Sequence, residues 1–177
     1  KSTDDSLQVI QEVSQRAGRK VHLITNKVNT KSVFKQWHRG SQVAKGSYLW
    51  VAEADDAALP QFLSAIFAGG SNFDLAYTDS KQIDQYEEPL ASDYQYYYDD
   101  GMKQLLKKGD HMFDGLEVLK KAFTVKNQFM NVSAMVFGLS LFRDELEAKL
   151  EEVTSYTVAG DWFFYLQLLQ KPSIRVK

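Results

Sequence analysis

The chain has 177 residues, 44% of them hydrophobic, which is enough to bury the core of a single domain spanning residues 1–177. The formal net charge of −2 and the dispersed basic residues argue against a nucleic-acid partner. Without cysteine there are no disulfides or thiolate metal sites, and no apolar run is long enough for a membrane span. We therefore expect a soluble, cytoplasmic protein.

The first half of the chain alternates between helical and strand-like patterns. Leu7 begins an apolar series at helical spacing that ends near Gly18, and Pro60 suits the first turn of a later helix. Tyr48 to Ala52 is apolar on both alternating faces, which is typical of a central parallel strand covered by helices on both sides. The patterns predict helices at 7–17, 34–44 and 59–66, and strands at 21–24, 48–52 and 73–77.

The second half opens with an acidic, tyrosine-rich stretch over residues 85–110. This stretch is either a solvated surface excursion, partly helical near Met102, or a binding lid. Beyond it the patterns predict helices at 116–123, 140–152 and from Asp161 to before Pro172, and strands at 132–137 and 174–176. The alternation predicts an α/β fold with a largely parallel sheet flanked by helices.

An acidic turn follows the apolar strand over residues 48–52 and contains Glu53, Asp55 and Asp56. In open α/β sheets, ligands bind outside the carboxyl ends of the strands. Crowded carboxylates repel one another unless a cation lies between them, and oxygen ligands suit Mg²⁺ or Mn²⁺. The alternative is that Asp55 or Asp56 only caps the following helix.

The segment Trp50-Val51-Ala52-Glu53-Ala54-Asp55-Asp56, preceded by an A-x-G turn at Ala44 to Gly46, resembles family 2 glycosyltransferases, which carry a D-x-D-D-type motif here. Glu53 stands where most relatives have Asp, which puts the role of this first acid in doubt. Further segments are similar in the expected order, at residues 1–4, 29–40, 77–79, 131–137 and 160–162. Lys1 to Asp4 resembles only the tail of the first nucleotide-binding motif.

This resemblance implies a GT-A-like (nucleotide-diphospho-sugar transferase) domain that lacks its first strands. It implies inverting, metal-dependent transfer of a sugar from a nucleoside-diphosphate sugar to a glycan or lipid-linked acceptor, in bacterial polysaccharide or surface-antigen synthesis. Mg²⁺ or Mn²⁺ is the implied cofactor. The implied site comprises Asp56 and Asp55 for the metal, Asp4, Asn29, Glu53 and Asp55 for the donor, Asp161 as catalytic base, and Asn131, Ser133 and Trp162 on the acceptor side.

Alternatives to each of these interpretations remain open from the sequence. Asp161 could be the N-cap of the helix that carries Trp162. The chain could be a non-catalytic glycan-binding module of the same fold, or a metal-dependent phosphohydrolase. Because the sequence begins with Lys1 rather than an initiator methionine, and the earlier acids of the first motif are absent, we expect the chain to be a fragment of a longer polypeptide. Such a fragment would be inactive alone and would form a dimer or a swapped assembly through unpaired strand edges.

Overall fold

The computed structural model describes residues 4–177, so the predicted donor motif is described only at Asp4. The helices are α1 (Ser6–Arg16), α2 (Val33–Val43), α3 (Phe62–Phe67), α4 (Asp100–Leu106), α5 (Gly115–Val118), α6 (Leu139–Ser155) and α7 (Gly160–Leu169). The strands are β1 (Tyr48–Trp50), β2 (Leu75–Tyr77), β3 (Gln82–Ile83), β4 (Pro89–Ala91), β5 (Phe113–Asp114), β6 (Met135–Gly138) and β7 (Arg175–Val176). A π-helical turn extends α5, and a 3₁₀ turn (Val132–Ala134) precedes β6. The predicted α/β class is confirmed.

The main sheet has the strand order β1-β6-β2-β7-β5. Only β2 and β7 pair in parallel, whereas the β1–β6, β2–β6 and β5–β7 pairs are antiparallel. The sheet is therefore mixed, and the prediction of a largely parallel sheet is wrong. One part of that prediction holds. β1 and β2, which precede and follow α3 in the sequence, run in the same direction because both pair antiparallel with β6. A later strand, β6, lies between them and runs against both.

The strand over residues 48–52 is shorter and less central than predicted. β1 ends at Trp50 and pairs only with β6, so it lies at one edge of the sheet in the described part of the chain. β6 is an interior strand between β1 and β2, and its Met135, Val136 and Phe137 are all buried. A strand with neighbours on both sides and covered faces needs this continuous apolar run.

The prediction of a strand at residues 21–24 is wrong. The segment is coil, with Val21 48% and Leu23 38% exposed. Among the described residues, no hydrogen bond joins residues 4–25 to the remainder of the chain. A β-prone run without a pairing strand gains none of the ladder hydrogen bonds that stabilise it. The self-association expected from unpaired edges stays a prediction.

Two apolar layers cover the faces of the sheet. On one face, Phe137 packs with Phe142 of α6 and Tyr165 of α7 in the larger core cluster. On the other face, Val136 belongs to a smaller cluster that includes Ile66 of α3. Successive residues of β6 thus point into opposite layers, as the pleat of a strand requires. None of the described helices has the length and apolarity needed to cross a membrane.

Phe137 should be among the residues on which folding stability depends most. Its side chain is fully buried, and its strand pairs with β1 and β2 simultaneously. We predict that Phe137→Ala lowers the free energy of unfolding by about 3–5 kcal/mol, since it deletes a ring from a close-packed core. Urea denaturation measures the change. Val125→Ala, at a position 77% exposed, is the control and should change it by less than about 0.5 kcal/mol. Equal effects of the two changes would contradict this picture of the core.

Candidate active site

The acidic turn after β1 is fixed by the 3₁₀ turn before β6. The backbone N–H of Glu53 donates a hydrogen bond to Ser133 Oγ at 2.9 Å. The indole N–H of Trp50 donates to the carbonyl oxygen of Ser133 at 2.8 Å. Ser133, which the sequence assigns to the acceptor side, therefore lies directly beside the acidic turn. The contact follows from the pairing of β1 with β6.

The three acids of the turn converge on one small volume. Glu53, Asp55 and Asp56 each offer a carboxylate oxygen, and these oxygens lie within 4.8 Å of one another. Asp55 and Asp56 are exposed, and no ion pair among the described residues involves any of the three. The chain itself thus leaves the negative charge of the turn uncompensated. Hard oxygen ligands in this arrangement fit a divalent cation such as Mg²⁺ or Mn²⁺.

The alternative that the turn only caps a helix is wrong. α3 begins at Phe62 with Gln61 at its N-cap, so neither Asp55 nor Asp56 occupies that position. The polypeptide between Asp56 and Gln61 is irregular. The two carboxylates therefore do not serve as N-caps of α3.

Glu53 connects the acidic turn with Asp161. Burial raises the pKa of Glu53 above its ordinary value, and the charges of Asp55, Asp56 and Asp161 raise it further, while the Trp37 side chain lowers it. The contribution from Asp161 matters because that residue lies far away in sequence. The predicted base and the predicted metal ligands are thus within electrostatic range of the same glutamate.

Asp161 lies in the first turn of α7, where close packing and a side-chain hydrogen bond position it. A Cβ at Gly160 would lie 2.8 Å from the ring of Phe34 and 3.0 Å from the carbonyl oxygen of Val153, so only glycine allows this approach. The amide of Asn127 donates to Asp161 Oδ2 at 2.8 Å. The N-cap of α7 is Ala159, in the left-handed region at φ 59°, so the N-cap role considered for Asp161 is wrong.

An open cavity of about 580 Å³, here called the acidic cavity, lies beside the turn. Asp56, Asn131 and Ser133 line it, which brings one predicted metal ligand together with two predicted acceptor-side residues. Asn131 also accepts a hydrogen bond from the backbone of Ala134 at 2.7 Å, which fixes the 3₁₀ turn. Trp162 does not line this cavity; its indole N–H donates to the carbonyl oxygen of Phe123 at 3.1 Å.

Asp79 also lines the acidic cavity, and our site prediction omitted it. Tyr98, which is buried, donates its hydroxyl to Asp79 Oδ1 at 2.8 Å. The hydrogen bonds continue to Tyr77, whose hydroxyl lies 2.7 Å from that of Tyr98. Burial raises the pKa of Tyr77 to about 12. Both phenols therefore remain protonated near neutral pH. The position of Asp79 at the end of β2 was the signal that could have revealed it.

The tyrosine-rich stretch does not extend wholly into solvent. Burial raises the pKa of Tyr94, and the negative charges of Asp56 and Asp79 add to the shift. Glu87 and Ser92 of the stretch line the acidic cavity, and Tyr98 is buried. The prediction of a purely solvated surface excursion is therefore wrong for this part. The hydrophobic pattern of the sequence could not reveal this packing.

Two predicted donor residues are not brought to the acidic turn by any hydrogen bond in the described chain. Asp4 is exposed and accepts from the backbone of Ser6 at 3.1 Å. Asn29 is exposed and accepts from the backbone of Lys31 at 2.8 Å. Both contacts are local turns, so the donor roles of Asp4 and Asn29 stay predictions.

The raised pKa of Glu53 predicts a dependence of stability on pH in protein freed of metal by a chelator. The folded protein retains a proton on Glu53 over a pH range in which the unfolded chain has lost it. The free energy of unfolding therefore falls as the pH rises from the ordinary glutamate range through the raised pKa. Glu53→Gln removes the cost of ionising Glu53 in the folded protein. The variant should therefore be more stable than the parent at pH 7, and its free energy of unfolding should fall less between acidic and neutral pH.

Urea denaturation at several pH values measures the effect on both proteins. Glu151→Gln, at an exposed site on α6, removes one carboxylate elsewhere and is the control. It should leave the pH profile of the parent almost unchanged. A Glu53→Gln profile parallel to that of the parent would show that Glu53 titrates alike in the folded and unfolded chains.

Residues 1–150 match the family model described as Glycosyl transferase family 2. The chain has no match among curated proteins and none among solved structures. The matched span includes the acidic turn, β6 and most of α6, and ends before Asp161. The resemblance seen in the sequence motifs is confirmed, and with it the GT-A fold that the family implies. The chain belongs to glycosyl transferase family 2.

Proposed function

We propose that the protein transfers a sugar from a nucleoside-diphosphate donor to a hydroxyl of a glycan or lipid-linked acceptor, with inversion at the anomeric carbon. The observation that carries the proposal is the acidic turn, where carboxylate oxygens of Glu53, Asp55 and Asp56 lie within 4.8 Å of one another, with the charge of Asp161 acting on the same Glu53. A metal-dependent transferase needs a cation site for the diphosphate and a separate base for the acceptor. The two groups of carboxylates supply these functions from distant parts of the chain.

Asp56 and Asp55 would hold Mg²⁺ or Mn²⁺, and Glu53 would lie nearer the nucleotide or sugar. The exposure of Asp55 and Asp56 leaves their oxygens accessible to a cation that keeps water and phosphate ligands as well. When bound, such an ion neutralises charge that develops on the leaving diphosphate. Asp56 is our first choice of ligand because it also lines the acidic cavity.

Asp161 would act as the general base. It takes the proton of the acceptor hydroxyl while the acceptor oxygen bonds to the anomeric carbon and the bond from that carbon to the diphosphate breaks. The amide of Asn127 donates to Oδ2 and orients the carboxylate. Among the described residues, Oδ1 has no hydrogen-bond donor, so it is available to the acceptor proton.

Asn131 and Ser133 would face the acceptor from the acidic cavity. Their side chains also accept the hydrogen bonds that fix the 3₁₀ turn and the acidic turn, so both side chains would meet the acceptor in fixed positions. Trp162 would support this side through the hydrogen bond that its indole N–H donates to the carbonyl oxygen of Phe123. Bacterial polysaccharide or surface-antigen synthesis in the cytoplasm is the proposed setting, from family resemblance.

Metal-dependent nucleotide binding tests the role of Asp56. In the full protein, Asp56→Asn should abolish the Mn²⁺-dependent binding of uridine or thymidine diphosphate measured by calorimetry, because the variant loses a charged ligand at the site. Asp144→Asn removes the same charge from an exposed position on α6 and should retain binding. Undiminished Mn²⁺-dependent binding by Asp56→Asn would overturn the assignment.

Turnover tests the role of Asp161. Positioned acid–base groups contribute about 10²- to 10⁴-fold in rate, so Asp161→Asn in the full protein should lower kcat on that scale with little change in donor affinity. Asn127→Ala should lower kcat less, since it disturbs only the orientation of the carboxylate. A loss of donor affinity at unchanged kcat would assign Asp161 to the donor site.

Phosphate release without acceptor would indicate a phosphohydrolase.

A further inference from the structure

A second cavity, here called the α4 cavity, lies between α4 and the strands β2, β5 and β7 and has a volume of about 470 Å³. Its volume lies within the roughly 300–1,000 Å³ typical of small-molecule sites. Its wall is made largely of buried apolar side chains, among them Met102, Leu105, Phe113, Val118, Phe129 and Val176. Polar side chains, among them Asp79, Gln95 and Lys107, complete the lining. The buried apolar part of the wall favours an apolar occupant there.

The space under α4 is maintained by how the first turn of that helix is anchored. A Cβ at Gly101 would overlap the carbonyl oxygen of Lys121, so the start of α4 presses directly on the π-helical turn. Asp99 caps α4 by accepting from Met102 at 2.9 Å, and it accepts from the buried Gln128 at 2.6 Å. The first turn is thereby fixed, while Leu105 and Leu106 in the last turn form the roof of the cavity.

The α4 cavity adjoins the acidic cavity. Thr78 and Asp79, at the end of β2, line both. Asp79 Oδ1 accepts from Tyr98 and from the backbone of Ser80, whereas Oδ2 has no donor among the described residues. A carboxylate with one free oxygen at the junction suits a sugar hydroxyl. A ligand that spans both cavities needs a polar part at Asp79 and an apolar part under α4.

We propose that the α4 cavity binds the apolar part of the acceptor, an aliphatic chain attached to the sugar or hydroxyl group that receives the transferred unit. This inference rests on the proposed function for the use of the ligand, whereas binding of the chain itself requires only the cavity. Asp79 is then a positioning residue at the junction of chain and sugar. Because the chain would bind under α4 and the sugar at Asp79, the site would be specific for lipid-linked or alkylated acceptors.

Calorimetric titration with methyl, butyl, hexyl and octyl β-glucosides, below the concentration at which they form micelles, tests the inference. Burial of each methylene should tighten binding by up to roughly fourfold until the cavity is filled. Affinity that does not depend on chain length would overturn the inference, because an alkyl chain seated under α4 would contact the buried apolar side chains of the wall.

Variants at the roof of the cavity test its location. Leu106, half-buried at the roof, is changed to Trp to fill the space, and this should abolish the dependence on chain length. Leu106→Ala widens the space and should retain the dependence, which separates occlusion from loss of folding. Leu116→Trp makes the same change at an exposed leucine outside the cavity and should bind like the parent. Chain-length dependence that persists in Leu106→Trp would place the alkyl site elsewhere and overturn the inference.

Titration of uridine diphosphate with Mn²⁺ into the full protein, alongside the glucosides, separates this inference from the proposed function. Chain-length-dependent glucoside binding without any nucleotide binding would support the cavity and count against the transferase proposal. Nucleotide binding together with glucoside affinity that ignores chain length would support the transferase proposal and overturn the cavity.

Discussion

The insertion of β6 between β1 and β2 is the constraint on which the candidate site depends. Its register pairs Phe137 with Leu49 on one side and with Leu75 on the other. A shift of one residue would turn Phe137 out of the larger core and Val136 into it. The same register delivers the 3₁₀ turn to the acidic turn, where Ser133 accepts from Glu53 and Trp50. Core packing and site geometry are thus fixed by the same pairing.

The electrostatics of the site follow from what surrounds its carboxylates. Glu53, Asp55, Asp56 and Asp161 act on one another with like charge, and no described lysine or arginine pairs with them. Asp161 accepts from a neutral donor, the Asn127 amide, and the Ser133 hydroxyl fixes the turn by accepting from the backbone N–H of Glu53. Neutral donors orient a carboxylate without cancelling its charge. The remaining negative charge is what a divalent cation would require.

The acidic turn of the candidate site can be located from the sequence, whereas the order of the strands in the sheet cannot. Glu53, Asp55 and Asp56 were found because an acidic run at a strand end is a local pattern, and Gly160 to Trp162 because a family motif is local too. The antiparallel course of β6 could not be predicted, since alternation of helices and strands carries no information on which strands become neighbours. The strand at 21–24 failed for the same reason, because β propensity does not supply a partner.

Asp79 and Tyr98 escaped prediction because their relation arises only on folding. Tyr98 belongs to the acidic stretch whose composition indicates solvent, yet it is buried and donates to a carboxylate on another element. Composition describes a segment as a whole, whereas burial is decided residue by residue by the surface on which the segment packs. The same limit applies to the Asn127–Asp161 pair, whose members are separated by β6 and α6.

Asp79 and Asp161 share an arrangement that connects positioning with function. In each carboxylate one oxygen accepts from protein donors, Tyr98 and Ser80 in the first case and Asn127 in the second. The other oxygen has no donor within the described residues. A fixed oxygen restricts the rotation of the group, so its partner points in a defined direction without reorganisation during a reaction. Asp79 is exposed and the unpaired oxygen of Asp161 is not buried, so each of these oxygens can be hydrated until a ligand hydroxyl replaces the water.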